Sequence, residues 1–216
     1  SDFASSTIKI KGYGANRTID FESSGSYLQR TAINVAAGTV EIDGISITKL
    51  ADNGNAVKAL NVSGGTVTYK NSSVHDNRGN VGASIWISGG NLELRNVTVE
   101  NVGSGSGTGG AGALNISGSS TVNCYDCIFT DVYGVTCGAI NIGAGGSLTM
   151  QDSSILRGKS SSAGGGITNM GTLSLKNVSI KDCVTGSAAS WATNKGSGIY
   201  HSGSQLSLEN VTISGC

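Results

Sequence analysis

Apolar residues recur along this chain as alternating pairs, Val40/Ile42, Val67/Tyr69, Leu92/Leu94, Val122/Cys124, Leu148/Met150, Leu173/Leu175 and Leu206/Leu208, each split by one polar residue. A period of two is the signature of a half-buried strand. Ahead of each pair stands a shorter apolar element, opening at Ile33, Leu60, Ile85, Leu114, Ile140, Ile167 and Ile199 in steps of 27, 25, 29, 26, 27 and 32 residues. Behind each pair a third set follows a bend: Ile45/Ile47, Val74, Val97/Val99, Cys127/Phe129, Ile155, Val178/Ile180 and Val211/Ile213. The pattern predicts three strands and three turns per repeat.

A unit of about 27 residues cannot bury its apolar face alone, whereas stacked units share one core and pair their strands in parallel ladders. The expected fold is therefore all-β, a right-handed parallel β-helix. With Ile8/Ile10 and Ile19/Phe21 as a partial first coil, it has about seven full coils, roughly 35 to 40 Å of stack at the ~4.8 Å strand spacing. Residues 1–216 form one domain in this reading, expected to be a segment of a longer chain.

The bend before the third strand holds Gly44, Asn71, Asn96, Asp126, Asp152, Asn177 and Asn210. Asn and Asp tolerate the left-handed backbone that a sharp bend needs. Their stacked side chains are expected to form a structural ladder along the axis, as amide stacks do in cross-β assemblies. Insertions gather in the third turn, at 102–111 and 184–197, and in repeat proteins such insertions map to one face, often the binding face.

Composition agrees with this reading. There are 34 glycines and no proline, where roughly ten prolines would be usual at ~5 %. Proline removes a ladder donor, so a chain built of central strands excludes it. The formal net charge is zero and no basic stripe is present, so no nucleic-acid partner is expected. No run reaches the ~18 apolar residues of a membrane-spanning helix, so no membrane span is expected, and residues 1–30 do not read as a secretory leader.

At the coil starts stand Gly109-Gly110-Ala111-Gly112-Ala113-Leu114, Cys137-Gly138-Ala139-Ile140, Gly164-Gly165-Gly166-Ile167 and Gly196-Ser197-Gly198-Ile199. These resemble the GGA-(Ile/Leu/Val) repeat of the polymorphic outer-membrane protein family, whose passenger regions are surface-exposed β-helices linked to adhesion. That family pairs the motif with Phe-x-x-Asn, where this chain reads Val74-His75-Asp76-Asn77 and Phe129-Thr130-Asp131-Val132. Relatives of the repeat occur in large extracellular proteins of protists. The resemblance implies an extracellular or cell-surface structural or adhesive protein.

Pectin-degrading enzymes also use parallel β-helices, but their residue signatures are absent: there is no Asn-Thr-Asp, Asp-Asp, Gly-His-Gly or Arg-Ile-Lys. Glu41 is expected to stack over Thr68 and Thr68 over Glu93, so a carboxylate pair at hydrolytic spacing of ~5 to 9 Å needs residues two coils apart. His75 and His201 lie on distant coils, without triad partners. Cys124-Tyr125-Asp126-Cys127 is a lone C-x-x-C in strand, lacking the second pair of a zinc site or the helix start of a redox motif. The outward column Ser46, Ser73, Thr98, Ile128, Ser154, Ser179 and Thr212 has uneven, charged neighbours, unlike an ice-binding face. No catalysis, cofactor or metal is expected. The alternatives are a carbohydrate-binding module and a polysaccharide-degrading enzyme fragment.

Seven Asn-x-Ser/Thr sequons stand at Asn16, Asn61, Asn71, Asn96, Asn115, Asn177 and Asn210, a density that fits a secreted glycoprotein. Asn61 and Asn115 lie between inward residues, so alternation turns them to solvent, and Asn16 lies in an apparent loop. Glycosylation is expected at these three and is expected to be low in the bend ladder. Five cysteines fit an oxidising compartment. Cys183 and Cys216 each follow the last inward Ile of their coil by three residues, which predicts one column, Cα atoms about 5 Å apart and a disulfide. Neither end shows a polar cap, so the partners expected are further β-helix coils of the same chain or other copies end to end, with surface carbohydrate or protein as lateral partners.

Overall fold

The computed structural model describes residues 7–12, 18–20, 30–50, 57–81, 84–186 and 196–216. Asn16 lies outside them. All regular elements among the described residues are strands, joined in parallel as a β-solenoid. They form sheets of fourteen, seven and five strands.

The seven-stranded sheet places Ile33, Leu60, Ile85, Leu114, Ile140, Ile167 and Ile199 in one column, the first-strand register that the sequence predicts. The fourteen-stranded sheet holds the second and third strands together, because Thr66–His75 and Asn91–Glu100 run through the bend without a break. Its columns stack Val67 on Leu92, Val122, Leu148 and Leu173, and Val74 on Val99, Phe129, Ile155 and Ile180. These side chains are buried. Fully burying each Val, Leu, Ile or Phe stabilises the fold by about 1.5–3 kcal/mol, and the stack makes one continuous core. Inside it, the Tyr69 hydroxyl lies 2.9 Å from the Ile45 carbonyl and 3.0 Å from that of Ser73, so this buried phenol is satisfied.

The five-stranded sheet was not expected. It consists of Arg78–Val81, Gly103–Gly109, Tyr133–Gly134, Lys159–Ser160 and Val184–Thr185, and it occupies the third turn. Three strands per coil therefore describes the long ladders but omits a short fourth one. Two-residue strands show no alternation, which is why the periodicity passes over them. Part of the Gly/Ser insertion near residue 104 belongs to this ladder, with an irregular register between Ser104 and Gly109.

The third turn also explains the glycines at the coil starts. Gly112 N–H donates to the Gly138 carbonyl at 2.7 Å, and Gly138 N–H to the Gly164 carbonyl at 3.0 Å. Successive coils meet there backbone to backbone, and a Cβ at Gly138 would fall onto the Gly165 carbonyl oxygen.

Leu206, Leu208 and Ile213 are 37 %, 47 % and 45 % exposed, while their partners Leu173, Leu175 and Ile180 one coil earlier are at most 1 %. At the other side of the stack Ile8 is 48 % exposed.

Candidate functional site: the bend groove

The bend column has the backbone that its residue types predict. Asn71, Asn96, Asp126, Asp152, Asn177 and Asn210 all have φ between 49° and 54°, with Gly44 at 69°. Their side chains are exposed. Asn71 Nδ2 donates to Asp43 Oδ1 at 2.9 Å and Asn96 Nδ2 to Asn71 Oδ1 at 3.1 Å. Further along, Asn177 Nδ2 donates to Asp152 Oδ1 at 2.8 Å and Asn210 Nδ2 to Asn177 Oδ1 at 3.2 Å. The ladder thus has two hydrogen-bonded runs, separated at Asp126. Beneath it, Ser72 Oγ accepts from Ile45 N–H at 3.0 Å and Ser153 Oγ from Cys127 N–H at 2.9 Å, which satisfies donors that the bend strips from the sheet.

A second left-handed column follows the first by five residues in every coil: Lys49, Asp76, Asn101, Asp131, Arg157 and Asp182, with φ of 49–59°, then Gly215. The sequence reading missed it because its residue types are mixed. The constant offset of five from the Asn/Asp column is the signal that could have found it. Arg157 here donates to both carboxylate oxygens of Asp131, at 2.7 and 2.6 Å.

Between the second and third strands, the outer surface sinks into a groove of about 660 Å³. Its lining combines the exposed bend residues Asp126, Asp152, Asn177 and Asn210 with the buried Cys127, Ser153 and Val178. The Asn177 and Gln151 amides hold the Asp152 carboxyl below the usual carboxylate range. Arg157 does the same for Asp131, and His75 followed by Asn101 for Asp76. Folded pKa values below the unfolded ~3.9 mean stability that is present above that pH and lost as the pH falls through the folded values. The melting temperature is expected to hold from pH 7 to about 5 and to drop below about pH 4. An equal melting temperature at pH 3 and pH 7 would contradict this coupling.

Asn96 separates the two roles of the bend residue. Asn96→Gly keeps the backbone and loses the ladder contact, worth about 0.5–1.5 kcal/mol. Asn96→Ala loses the contact and adds a left-handed strain of about 1–2 kcal/mol. In chemical denaturation the alanine variant should therefore be the less stable by about 1 kcal/mol. Equal stabilities would show that the bend does not demand its φ.

The other predicted positions divide. Asn61 is half-buried, its amide on Asn34 and its oxygen 3.1 Å from Lys58 Nζ. Asn115 corrects the expectation of an open site. It is only 6 % exposed, its Oδ1 accepts from Asn141 Nδ2 at 2.8 Å, and Trp86 stands beside it in register. Alternation turned it outward, but a second amide stack and a tryptophan cover that face. Cys183 and Cys216 are neighbours as expected, with Cys183 N 3.4 Å from Cys216 Sγ, and both are thiols in this structure. Burial pushes the Cys137 and Cys183 thiols up to about 12. Cys124 and Cys127 are core residues.

His75 Nδ1 lies 2.9 Å from Asp76 Oδ2 and 3.2 Å from Thr48 Oγ1, and His201 Nδ1 lies 2.9 Å from Asn169 Nδ2. Thr68 stands between Glu41 and Glu93. Each of these carboxylates is taken by a base, Lys70 at 3.0 Å and Arg95 at 2.6 Å. Among the described residues no group of three or more His, Cys, Asp or Glu is placed to hold a metal ion, and no helix is long and apolar enough to cross a membrane. Comparison with family models, curated proteins and solved structures gives no match to this chain.

Proposed function

We propose that this chain is part of an extracellular structural or adhesive glycoprotein, a rigid rod whose stack is continued by coils of the same pattern. One observation carries the reading: the strands pair in parallel register around one continuous core, each coil packed on its neighbours. Ladders of this kind are extended by further β-structure pairing along the stack.

Small-angle scattering over a dilution series tests this. The rod reading expects the particle to lengthen with concentration while its cross-section stays constant. A monomer of fixed length up to millimolar concentration would overturn it. A carbohydrate-binding module is the second reading, favoured by the polar groove; retention of defined soluble glycans on an array by the unglycosylated chain would support it.

The cysteines report on the compartment. For the chain secreted from a eukaryotic cell, alkylation after unfolding without reductant is expected to label Cys124, Cys127 and Cys137 and to spare Cys183 and Cys216. Labelling of all five would exclude the bond and the oxidising environment it implies.

A further inference from the structure

We propose that the bend groove is the glycan-bearing edge of the rod: N-linked sugar is attached at the bend asparagines, Asn177 and Asn96 foremost, and its first residues lie over Asp126 and Asp152. This rests on the extracellular reading above. It places the sugar where the sequence pattern alone argued against it.

Four sequons, at Asn71, Asn96, Asn177 and Asn210, begin on the left-handed bend, and their hydroxyls are Ser73, Thr98, Ser179 and Thr212 of the outward column. A glycosyltransferase reads a sequon on extended chain, so the folded structure decides whether the attached sugar, a bulky and solubilising group, can be accommodated. All four bend asparagines are exposed, whereas Asn115 is 6 % exposed and could carry a glycan only if the outer face of its sheet opened.

Attachment leaves the ladder nitrogen a donor. The Asn Nδ2–sugar C1 bond forms, the C1–oxygen bond to the donor's lipid pyrophosphate breaks, and one Nδ2 proton leaves. The second proton remains on the atom that at Asn177 lies 2.8 Å from Asp152 Oδ1. The two sequon pairs bracket coils that carry Asp126 and Asp152 in place of asparagine. Those carboxylates are acceptors for sugar hydroxyls, and Ile128, 42 % exposed in the groove lining, offers an apolar surface to a ring face.

Glycopeptide mass spectrometry of the 216-residue chain secreted from a eukaryotic host tests this. The expected result is majority occupancy at Asn177 and Asn96 with Asn115 bare. Occupied Asn61 or Asn115 with bare bend sites would overturn the inference and leave the extracellular reading standing. A secreted chain with no glycan at all would overturn both. Ser179→Ala gives a control that keeps the bend asparagine. Ser179 Oγ is buried without a partner, so its removal spares the fold and should abolish the Asn177 glycan. The seat has its own readout: Asp126→Ala should speed release of the Asn177 glycan by a glycan amidase under native conditions severalfold, and an unchanged rate would show that the sugar does not lie on the carboxylates.

Discussion

Gly138→Ala is expected to destabilise the fold by more than about 4 kcal/mol, the range reserved for core disruption and backbone clash. The added methyl would meet the carbonyl oxygen of Gly165 on the next coil, not the yielding end of a side chain. Relief requires the coils to part at the third turn. Parting would break the hydrogen bonds from Gly112 to Gly138 and from Gly138 to Gly164. For a chain of this size the melting temperature should fall by roughly 10 °C. A fall under 2 °C would show that the coils do not approach as closely as the stack requires.

Phe129→Ala is expected to cost about 3–5 kcal/mol. Phe129 is fully buried between Val99 and Ile155, which are in register with it on either side. The β-branched neighbours cannot swing into the space, so the cavity persists. Because each coil contacts only its neighbours, stability is close to a sum of local terms. Hydrogen exchange in this variant should therefore accelerate most in Thr98–Glu100 and Ser154–Leu156 and least in Ser46–Thr48. Uniform acceleration along the chain would contradict the local character of the core.

The long ladders were legible because burial writes itself into the sequence with a period of two. Leu92/Leu94 and Leu148/Met150 could face no other way. The bend was legible for another reason: a left-handed φ selects Asn, Asp and Gly, and seven of those residues recur at a fixed place in the repeat. The same logic failed five residues later. There Lys49 and Arg157 occupy the left-handed region without advertising it, and the Arg157 side chain is held on Asp131. The fourth ladder was invisible because Tyr133–Gly134 and Lys159–Ser160 are too short to carry a pattern. Asn115 marks the limit of alternation as a guide to access: it gives the side of the sheet but not what Asn141 and Trp86 place on that side.

The groove emerged only from the three-dimensional arrangement. No sequence pattern tells that the surface sinks beside the ladder over Ser153 and Val178. Asp126 and Asp152 were readable as bend residues, and the depth beside them was not.

The parallel register is the claim on which the rod and the groove rest, and nuclear magnetic resonance measures it directly. Through-space contacts between backbone protons should link Leu92 to Val122, Val122 to Leu148, and Leu148 to Leu173, with Val99, Phe129 and Ile155 linked in the same sense across the bend. Contacts that run antiparallel, or that pair Leu92 with Thr121 or Asn123 instead, would turn every inward column to solvent and contradict the account.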